Sequence, residues 1–196
     1  MTRRRVVVAT GNPGKVVEIA AILANPSLEL LSLDAFPPVE LPKEGGDYTA
    51  NAIAKARETA MQLGELAVAD DSGLEVDALG GAPGPYSARY GGPDLDDKGR
   101  VLALLEQLAG VEPAARAARF VCVAAFATPS GEILTRRGEC RGSLLLRPRG
   151  EDGFGYDPIF AIAGSERTMA ELPADEKNRI SHRARAFTAL AAVMPV

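Results

Sequence analysis

Two adjacent aspartates, Asp70 and Asp71, are the residues of this sequence with the clearest potential for chemistry. They follow a short apolar run, residues 66–69, and a serine and a glycine come directly after them. The apolar run predicts a buried strand, and the polar residues predict that it ends there in a turn. Neighbouring residues of a strand point to opposite faces, so at least one carboxylate should face the interior. Because an unpaired buried carboxylate is costly, we expect a cation or strong donors beside it.

Carboxylate oxygens of this kind suit Mg²⁺, which usually reaches a protein through one or two carboxylates together with substrate phosphates. Glu44, in an acidic and proline-rich stretch that predicts a surface loop, completes a candidate set with Asp70 and Asp71. The alternative for an isolated Asp-Asp pair is a capped turn without chemistry. The magnesium interpretation therefore depends on phosphate-binding residues elsewhere in the chain.

A candidate phosphate-binding loop lies between the first predicted strand, residues 6–9, and the helix that follows. It reads Thr10-Gly11-Asn12-Pro13-Gly14-Lys15. Asn12 is a good N-cap and Pro13 a natural first helical residue, and the free N–H groups of a helix N-terminus suit an anion. The loop is not a Walker A motif, because Ala9 replaces its first glycine and Val16 replaces the Ser or Thr that binds magnesium. A plain capped helix is the alternative.

A third group of residues has the chemistry to hold a base. The segment 153–158 places Phe154 between two glycines and Asp157 before a proline, so an aromatic face and hydrogen-bonding groups can meet a base. Ser181 is the expected N-cap of the last helix, and His182 and Arg183 follow it. Cations at a helix N-terminus are misplaced unless they serve a ligand, and Lys177 lies just upstream. The alternatives are a tight turn around a buried Phe and a structural histidine.

The remaining elements are predicted from periodicity and turn residues. A helix over residues 49–63 should end at Gly64, and Asn51 and Lys55 on one of its faces, taken as an isolated pair, indicate a solvent-exposed stripe. Further strands are predicted over residues 28–33 and 74–79, with a helix capped by Asp94 over residues 94–108 and a β-hairpin over residues 119–140. In the last helix, Ala186, Phe187, Leu190 and Val193 should face the core.

Composition limits the classes of function. The chain has 196 residues, which suits one domain, or one domain in two lobes. A net charge of −4 argues against a nucleic-acid polymer as partner. No apolar stretch approaches the roughly 20 residues that cross a membrane. Cys122 and Cys140 suggest neither a disulfide framework nor a zinc site, so we expect a cytoplasmic protein.

Five motifs, in order along the chain, resemble the inosine triphosphate pyrophosphatase family. They are Thr10-Gly11-Asn12-x-x-Lys15, Ala69-Asp70-Asp71-Ser72-Gly73-Leu74, Gly80-Gly81-Ala82-Pro83-Gly84 with Ser87-Ala88-Arg89-Tyr90, Gly153-Phe154-Gly155-Tyr156-Asp157-Pro158, and Ser181-His182-Arg183. The resemblance implies an elongated, two-lobed α/β fold around a twisted mixed β-sheet flanked by helices, with the active site in the cleft between the lobes. It also implies a single pyrophosphatase domain over residues 1–196 and a homodimer.

The resemblance further implies Mg²⁺-dependent hydrolysis of ITP, dITP and XTP to the monophosphate and pyrophosphate, which cleanses the nucleotide pool. Asp71 matches the family's proton acceptor and metal ligand. Glu44 matches its metal-binding glutamate, although the segment before Asn51 is one residue shorter than usual and Glu40 is the alternative. The predicted metal ligands are Glu44, Asp70 and Asp71, and the predicted substrate-binding residues are Thr10, Gly11, Asn12, Pro13, Gly14, Lys15, Lys55, Ser72, Phe154, Gly155, Tyr156, Asp157, Lys177, His182 and Arg183.

Selectivity for inosine over adenine should come from donors that face the base oxygen O6, supplied by Arg183, His182 or backbone amides. Adenine presents an amino donor at that position, so a buried donor would lose its partner. Two other functions fit the same residues. One is a pyrophosphatase for other nucleotides, such as modified pyrimidines or the standard dNTPs, and the other is a nucleotide-binding sensor that does not hydrolyse its ligand.

Overall fold

A mixed β-sheet flanked by helices forms the framework of the computed structural model, which describes residues 3–195. In the described part of the chain the strands are β1 (Arg4–Val8), β2 (Leu28–Ser32), β3 (Leu66–Val76), β4 (Pro83–Gly84), β5 (Ala117–Ala127), β6 (Ile133–Leu144) and β7 (Phe160–Ile162). The α-helices are α1 (Pro13–Ile22), α2 (Tyr48–Leu63), α3 (Asp97–Gln107), α4 (Ala174–Ile180) and α5 (His182–Ala191).

The strand order is β2-β1-β3-β5-β6-β7, with β4 paired to β3. Strand β1 pairs in parallel with β2 and β3, whereas the β3–β4 and β6–β7 pairs are antiparallel. The predicted α/β class with a mixed sheet is therefore confirmed. No helix among residues 3–195 is long and apolar enough to span a membrane.

The chain divides into two compact units. Residues 3–71, 122–138 and 182–195 belong to the first unit, and residues 72–121 and 139–181 to the second. Strands β3, β5 and β6 contribute residues to both units. The single pyrophosphatase domain over residues 1–196 stays a prediction.

The core of the first unit lies around β1 and the first part of β3. Val6 and Val8 of β1 pack with Ile19 of α1 and with Phe187 and Leu190 of α5. The side chains of β1 from Val6 onward are buried on both faces of the sheet, as expected for a strand with parallel neighbours on either side. This core fixes the ends of β1 and β3 relative to α1 and α5.

The core of the second unit contains α3 and parts of β3, β5 and β7. The rings of Phe120 and Phe160 lie with centroids 4.4 Å apart. The buried guanidinium of Arg116 donates to the carbonyls of Leu108, Val111 and Leu145. A cation beside the Leu108 carbonyl, at the C-terminal end of α3, complements the helix dipole.

Several local predictions are confirmed. Helix α1 begins at Pro13, and the side chain of its N-cap Asn12 accepts the Lys15 N–H. Helix α2 ends at Gly64, which adopts a left-handed conformation with φ of 66° that glycine adopts without steric cost. Strands β5 and β6 are neighbours joined by a short turn, as the hairpin prediction requires.

Other predictions are wrong. Strand β3 does not end at Asp70 but continues to Val76, because both aspartates find cationic partners while remaining in the strand. Helix α3 begins at Asp97 with Asp96 as its cap, so the cap lies two residues later than the predicted Asp94. Helix α4 was not predicted, and Val193, expected in the core, is 41% exposed.

Candidate active site

Asp70 lies on β3 with its side chain fully buried. The Lys15 ammonium is 3.1 Å from Oδ2, and Nε and Nη2 of Arg183 donate to the same oxygen at 3.2 and 3.0 Å. Arg183 also donates through Nη1 to Glu18 at 2.5 Å. The expected cation beside a buried aspartate is thus present twice, from α1 and from α5.

Charge governs the protonation of this cluster. Burial by itself would raise the pKa of Asp70, but Lys15 and Arg183 hold it well below the ordinary value of 3.8. Burial opposes the charge of Arg183, yet Asp70 and Glu18 raise the pKa of its guanidinium. Two cations and two carboxylates therefore balance one another in the interior of the first unit.

The same contacts place three of the predicted site residues. Two side-chain cations neutralise the carboxylate of Asp70, whose role as a metal ligand stays a prediction. The buried guanidinium of Arg183 donates to Asp70 and Glu18, and its predicted contact with the base stays a prediction. Lys15 was expected to hold phosphate, and in this structure Asp70 balances its charge.

Asp71 faces a different set of partners. Asn51 Nδ2 donates to its Oδ2 at 2.8 Å, and Lys55 Nζ donates to its Oδ1 at 3.3 Å. Lys55 also donates to Glu44 Oε1 at 2.5 Å. Because successive residues of a strand point to opposite faces, the two aspartates reach separate clusters, one with Lys15 and Arg183 and one with Asn51 and Lys55.

The prediction of a solvent-exposed stripe on α2 is wrong. Asn51 and Lys55 are each only 6% exposed, because the α2 face that carries them meets the carboxylate of Asp71. Asn51 also accepts the Gly45 N–H at 2.7 Å and donates to the Gly45 carbonyl at 3.0 Å. These two bonds fix the loop next to Glu44.

The same contacts favour Glu44 over Glu40 as the acidic partner of Asp71. Glu44 shares the Lys55 ammonium with Asp71. The backbone of Glu40 instead pairs with the side chain of Gln62, near the C-terminal end of α2. Lys55 lies about two helical turns before Gln62.

The Asp71 cluster has the chemistry of a cation site. Burial raises the pKa of Asp71 from its ordinary value of 3.8, and Lys55 and Asn51 oppose that shift. One ammonium faces two carboxylates, which leaves a net negative charge that suits a divalent cation. Within residues 3–195 no group of three or more His, Cys, Asp or Glu side chains is arranged to hold a metal ion. Two carboxylates supplemented by phosphate oxygens remain the arrangement typical of Mg²⁺.

The predicted phosphate loop is ordered by its own side chains. Thr10 Oγ1 accepts the Asn12 N–H at 3.2 Å, and Asn12 Oδ1 accepts the Lys15 N–H at 3.2 Å. Residues 11–13 are exposed at the N-terminus of α1. Backbone amides at such a terminus attract anions.

In the second unit the structure brings together Phe154, Asp157 and Lys177. Asp157 Oδ2 accepts the Phe154 N–H at 2.9 Å and the Lys177 ammonium at 2.5 Å. That ammonium lies 5.0 Å from the centroid of the Phe154 ring. Gly153 has φ of 79°, and any side chain at this position would collide with Asp157. The loop therefore requires glycine here.

Ser72 and His182 are placed by the elements that carry them. Ser72 continues β3 directly after Asp71 and belongs to the second unit, whereas His182 is the buried first residue of α5 in the first unit. Their predicted contacts with substrate stay predictions, as does the predicted position of the active site in a cleft.

Comparison with known proteins identifies the family. Residues 6–193 match the model of the Ham1 family. This chain belongs to the Ham1 family. A dITP/XTP pyrophosphatase from Desulfotalea psychrophila is 49% identical over 191 residues, which cover 97% of this chain and 85% of that protein.

Solved structures of Ham1 proteins support the same family assignment. A HAM1 protein from Coxiella burnetii matches with a TM-score of 0.85 and 38% identity, covering 97% of this chain and 98% of that one. A nucleoside-triphosphatase / dITP/XTP pyrophosphatase from Mycobacterium abscessus matches with a TM-score of 0.75 and 44% identity, covering 98% and 100%. The predicted family and the predicted class of enzyme, a nucleoside triphosphate pyrophosphatase, are confirmed.

The sequence did not predict the contacts of Glu18 and Asn51. Glu18 pairs with Arg183. In the sequence, the only indication that Glu18 is buried is that the apolar Ile19 follows it on α1. Asn51 was identified but interpreted as exposed, and the nearby carboxylate of Asp71 was the missing information. In both cases the partner lies far away in the sequence.

The Asp70 cluster predicts a specific response to acid. Since the folded-state pKa of Asp70 is lowered, its stabilising contribution is complete above the ordinary value of 3.8 and is lost as pH falls below it. Lys15→Met removes one of the cations that lower this pKa. We expect the free energy of unfolding of the variant to fall less steeply than that of the wild type as the pH is lowered from about 4 toward the folded-state pKa of Asp70.

Urea denaturation at several pH values measures this slope. Lys43→Met is the matched control, because Lys43 is exposed and should leave the acid dependence unchanged. Equal slopes for Lys15→Met and the wild type would contradict the assignment of Lys15 as a determinant of the Asp70 pKa.

Proposed function

We propose that this Ham1 protein is a Mg²⁺-dependent pyrophosphatase that hydrolyses deaminated purine nucleoside triphosphates. Its substrates would be dITP, XTP and ITP, and its products the nucleoside monophosphate and pyrophosphate. The names of its relatives support dITP and XTP. The observation that carries the proposal is the cluster in which Lys55 bridges the carboxylates of Asp71 and Glu44.

Glu44 and Asp71 would hold the Mg²⁺ ion. The net negative charge of these two carboxylates against one ammonium supports this placement. When bound, the ion would balance phosphate charge and polarise the anhydride that is cleaved.

Asp71 would accept the proton of the attacking water. A general base works best when its pKa is close to the working pH, and burial raises the pKa of Asp71 in that direction. Asn51 holds the carboxylate through Oδ2 and so fixes its orientation. Lys55 supplies positive charge where phosphate charge accumulates.

The substrate would be held by two sets of residues. The backbone N–H groups of Gly11 and Gly14, at the N-terminus of α1, can bind phosphate oxygens. Phe154 offers an aromatic face on which a base can stack. Discrimination at O6 would come from Arg183, His182 or backbone amides, and of these Arg183 already donates to Asp70 and Glu18.

The direct test measures product release from ITP, XTP, dITP, ATP and GTP, with and without Mg²⁺. We expect pyrophosphate from the deaminated purines, only with the metal, and little turnover of ATP or GTP. Equal rates on ATP and GTP would support a pyrophosphatase of other specificity. Nucleotide binding without hydrolysis would support a sensor, and release of orthophosphate would contradict the proposed reaction.

The pH dependence of activity tests the role of Asp71 as base. The hydrogen bond from Asn51 lowers the pKa of Asp71, so Asn51→Leu should raise it. Because a base works only when deprotonated, we expect the acidic limb of the kcat/KM profile to move to higher pH in Asn51→Leu.

Gln62→Leu is the matched control, since Gln62 is an amide on the same helix that contacts the Glu40 backbone instead. Profiles of kcat/KM against pH for both variants and the wild type are the measurement. An unmoved acidic limb in Asn51→Leu would argue against Asp71 as the group that titrates.

The homodimer and the cytoplasmic location stay predictions. Light scattering coupled to size-exclusion chromatography determines the number of chains in solution. A mass of one chain at working concentration would contradict the predicted homodimer.

A further inference from the structure

The loop that carries Phe154 is held by two carboxylates, one from the loop itself and one from α3. Asp157, within the loop, accepts the Phe154 N–H at 2.9 Å. Asp97, the first residue of α3, accepts the next amide, the Gly155 N–H, through Oδ2 at 2.8 Å. Two consecutive backbone amides are therefore fixed, one by the loop itself and one by a helix 58 residues away in sequence.

The Asp97 carboxylate is itself oriented. Arg100, one turn along α3, lies with Nη1 3.4 Å from Asp97 Oδ1, which leaves Oδ2 for the Gly155 amide. Tyr156, the residue after Gly155, donates its hydroxyl to the Ser87 carbonyl at 2.9 Å. Each residue from 154 to 157 thus has a hydrogen-bonding partner that restrains it.

A cavity of about 430 Å³ lies between α3 and this loop. Val101 and Leu102 line it from the helix, and Gly153, Phe154 and Gly155 line it from the loop. Side-chain packing does not fill this space, so packing alone does not hold the loop against α3. The hydrogen bond between α3 and the loop therefore matters more for the loop's position.

We propose that Asp97 is a positioning residue for nucleotide binding, which acts by fixing the backbone at Gly155 and thereby the neighbouring Phe154 ring. The inference rests on the proposed function, in which the segment 153–157 contacts the base. Asp97 accepts a hydrogen bond from the loop and takes no part in the chemical step. Its loss should weaken substrate binding and leave the catalytic rate intact.

Three variants separate positioning from simple stability. Asp97→Ala removes the acceptor, whereas Asp97→Asn retains an oxygen that can accept the Gly155 N–H. Asp96→Ala is the matched control, because Asp96 caps the same helix by accepting the Gly99 N–H at 2.7 Å and, within residues 3–195, forms no hydrogen bond with the loop. Since the Asp97 side chain is 54% exposed, its removal should not prevent folding.

With XTP as substrate, we expect Asp97→Ala to raise KM by about fivefold to tenfold with kcat unchanged. Asp97→Asn should restore most of the wild-type KM. Asp96→Ala should lower Tm through the lost cap without changing KM. A KM of Asp97→Ala equal to that of the wild type, or no rescue by Asp97→Asn, would overturn the proposal.

Hydrogen–deuterium exchange of the segment 153–157 provides a readout that does not depend on activity. We expect faster exchange in Asp97→Ala than in the wild type and in Asp96→Ala. Unchanged exchange would overturn the proposal even if the enzyme is active. If the wild type hydrolyses none of the five nucleotides, the proposed function fails, and exchange together with the Kd for XTP in the same variants then decides the role of Asp97.

Discussion

Asp71→Asn should lower kcat by about 10²-fold to 10⁴-fold, the range expected when a general base is removed. The amide cannot accept the proton of the attacking water. The substitution also removes one of the two negative charges, those of Asp71 and Glu44, from the candidate cation site. Lys55 keeps Glu44 as a partner at 2.5 Å, so the fold should survive. Steady-state pyrophosphate release from XTP measures the loss, and thermal unfolding confirms that the variant is folded.

Asp77→Asn is the matched control for this substitution. Asp77 is an exposed aspartate just after the end of β3, so the same chemical change there should leave kcat unchanged. Near-normal turnover by a folded Asp71→Asn variant would show that another group accepts the proton. A loss of equal size in both variants would point to an indirect effect of altered charge.

Arg183→Met should reduce the free energy of unfolding by about 3–5 kcal/mol, the cost of breaking a buried ion pair from one side. Removal of the guanidinium leaves Glu18 without its bond at 2.5 Å and leaves Asp70 with Lys15 as its remaining salt-bridge partner. Because domains are stable by only about 5–15 kcal/mol, the loss should appear as a large drop in Tm.

Arg179→Met is the matched control, since Arg179 forms an exposed pair with Asp175 at 3.2 Å, and surface pairs contribute little. Urea denaturation of both variants gives the comparison. If Arg183→Met does not fold well enough to measure, Arg183→Lys keeps the charge but loses the two-bond contact with Asp70, and it should show a smaller loss. Equal stability of Arg183→Met and Arg179→Met would contradict the structural role of the cluster.

The sequence by itself determined the features that depend on neighbouring residues. The cap of α1 by Asn12, the start of that helix at Pro13 and the end of α2 at Gly64 follow from local backbone preferences. The order of the five motifs was also sufficient to identify the family. In each case the information lies within a few residues of the feature, or in the order of motifs along the chain.

Only the tertiary structure decided how the charged residues are paired. Arg183 and Asp70 are 113 positions apart, and no local pattern shows that their side chains meet. Asn51 and Lys55 on one face of α2 could donate hydrogen bonds either to water or to a carboxylate. In the structure they donate to the carboxylate of Asp71 on β3. A buried charge is tolerated only beside its partner, and that partner comes from a distant element whose position is set by packing of the core.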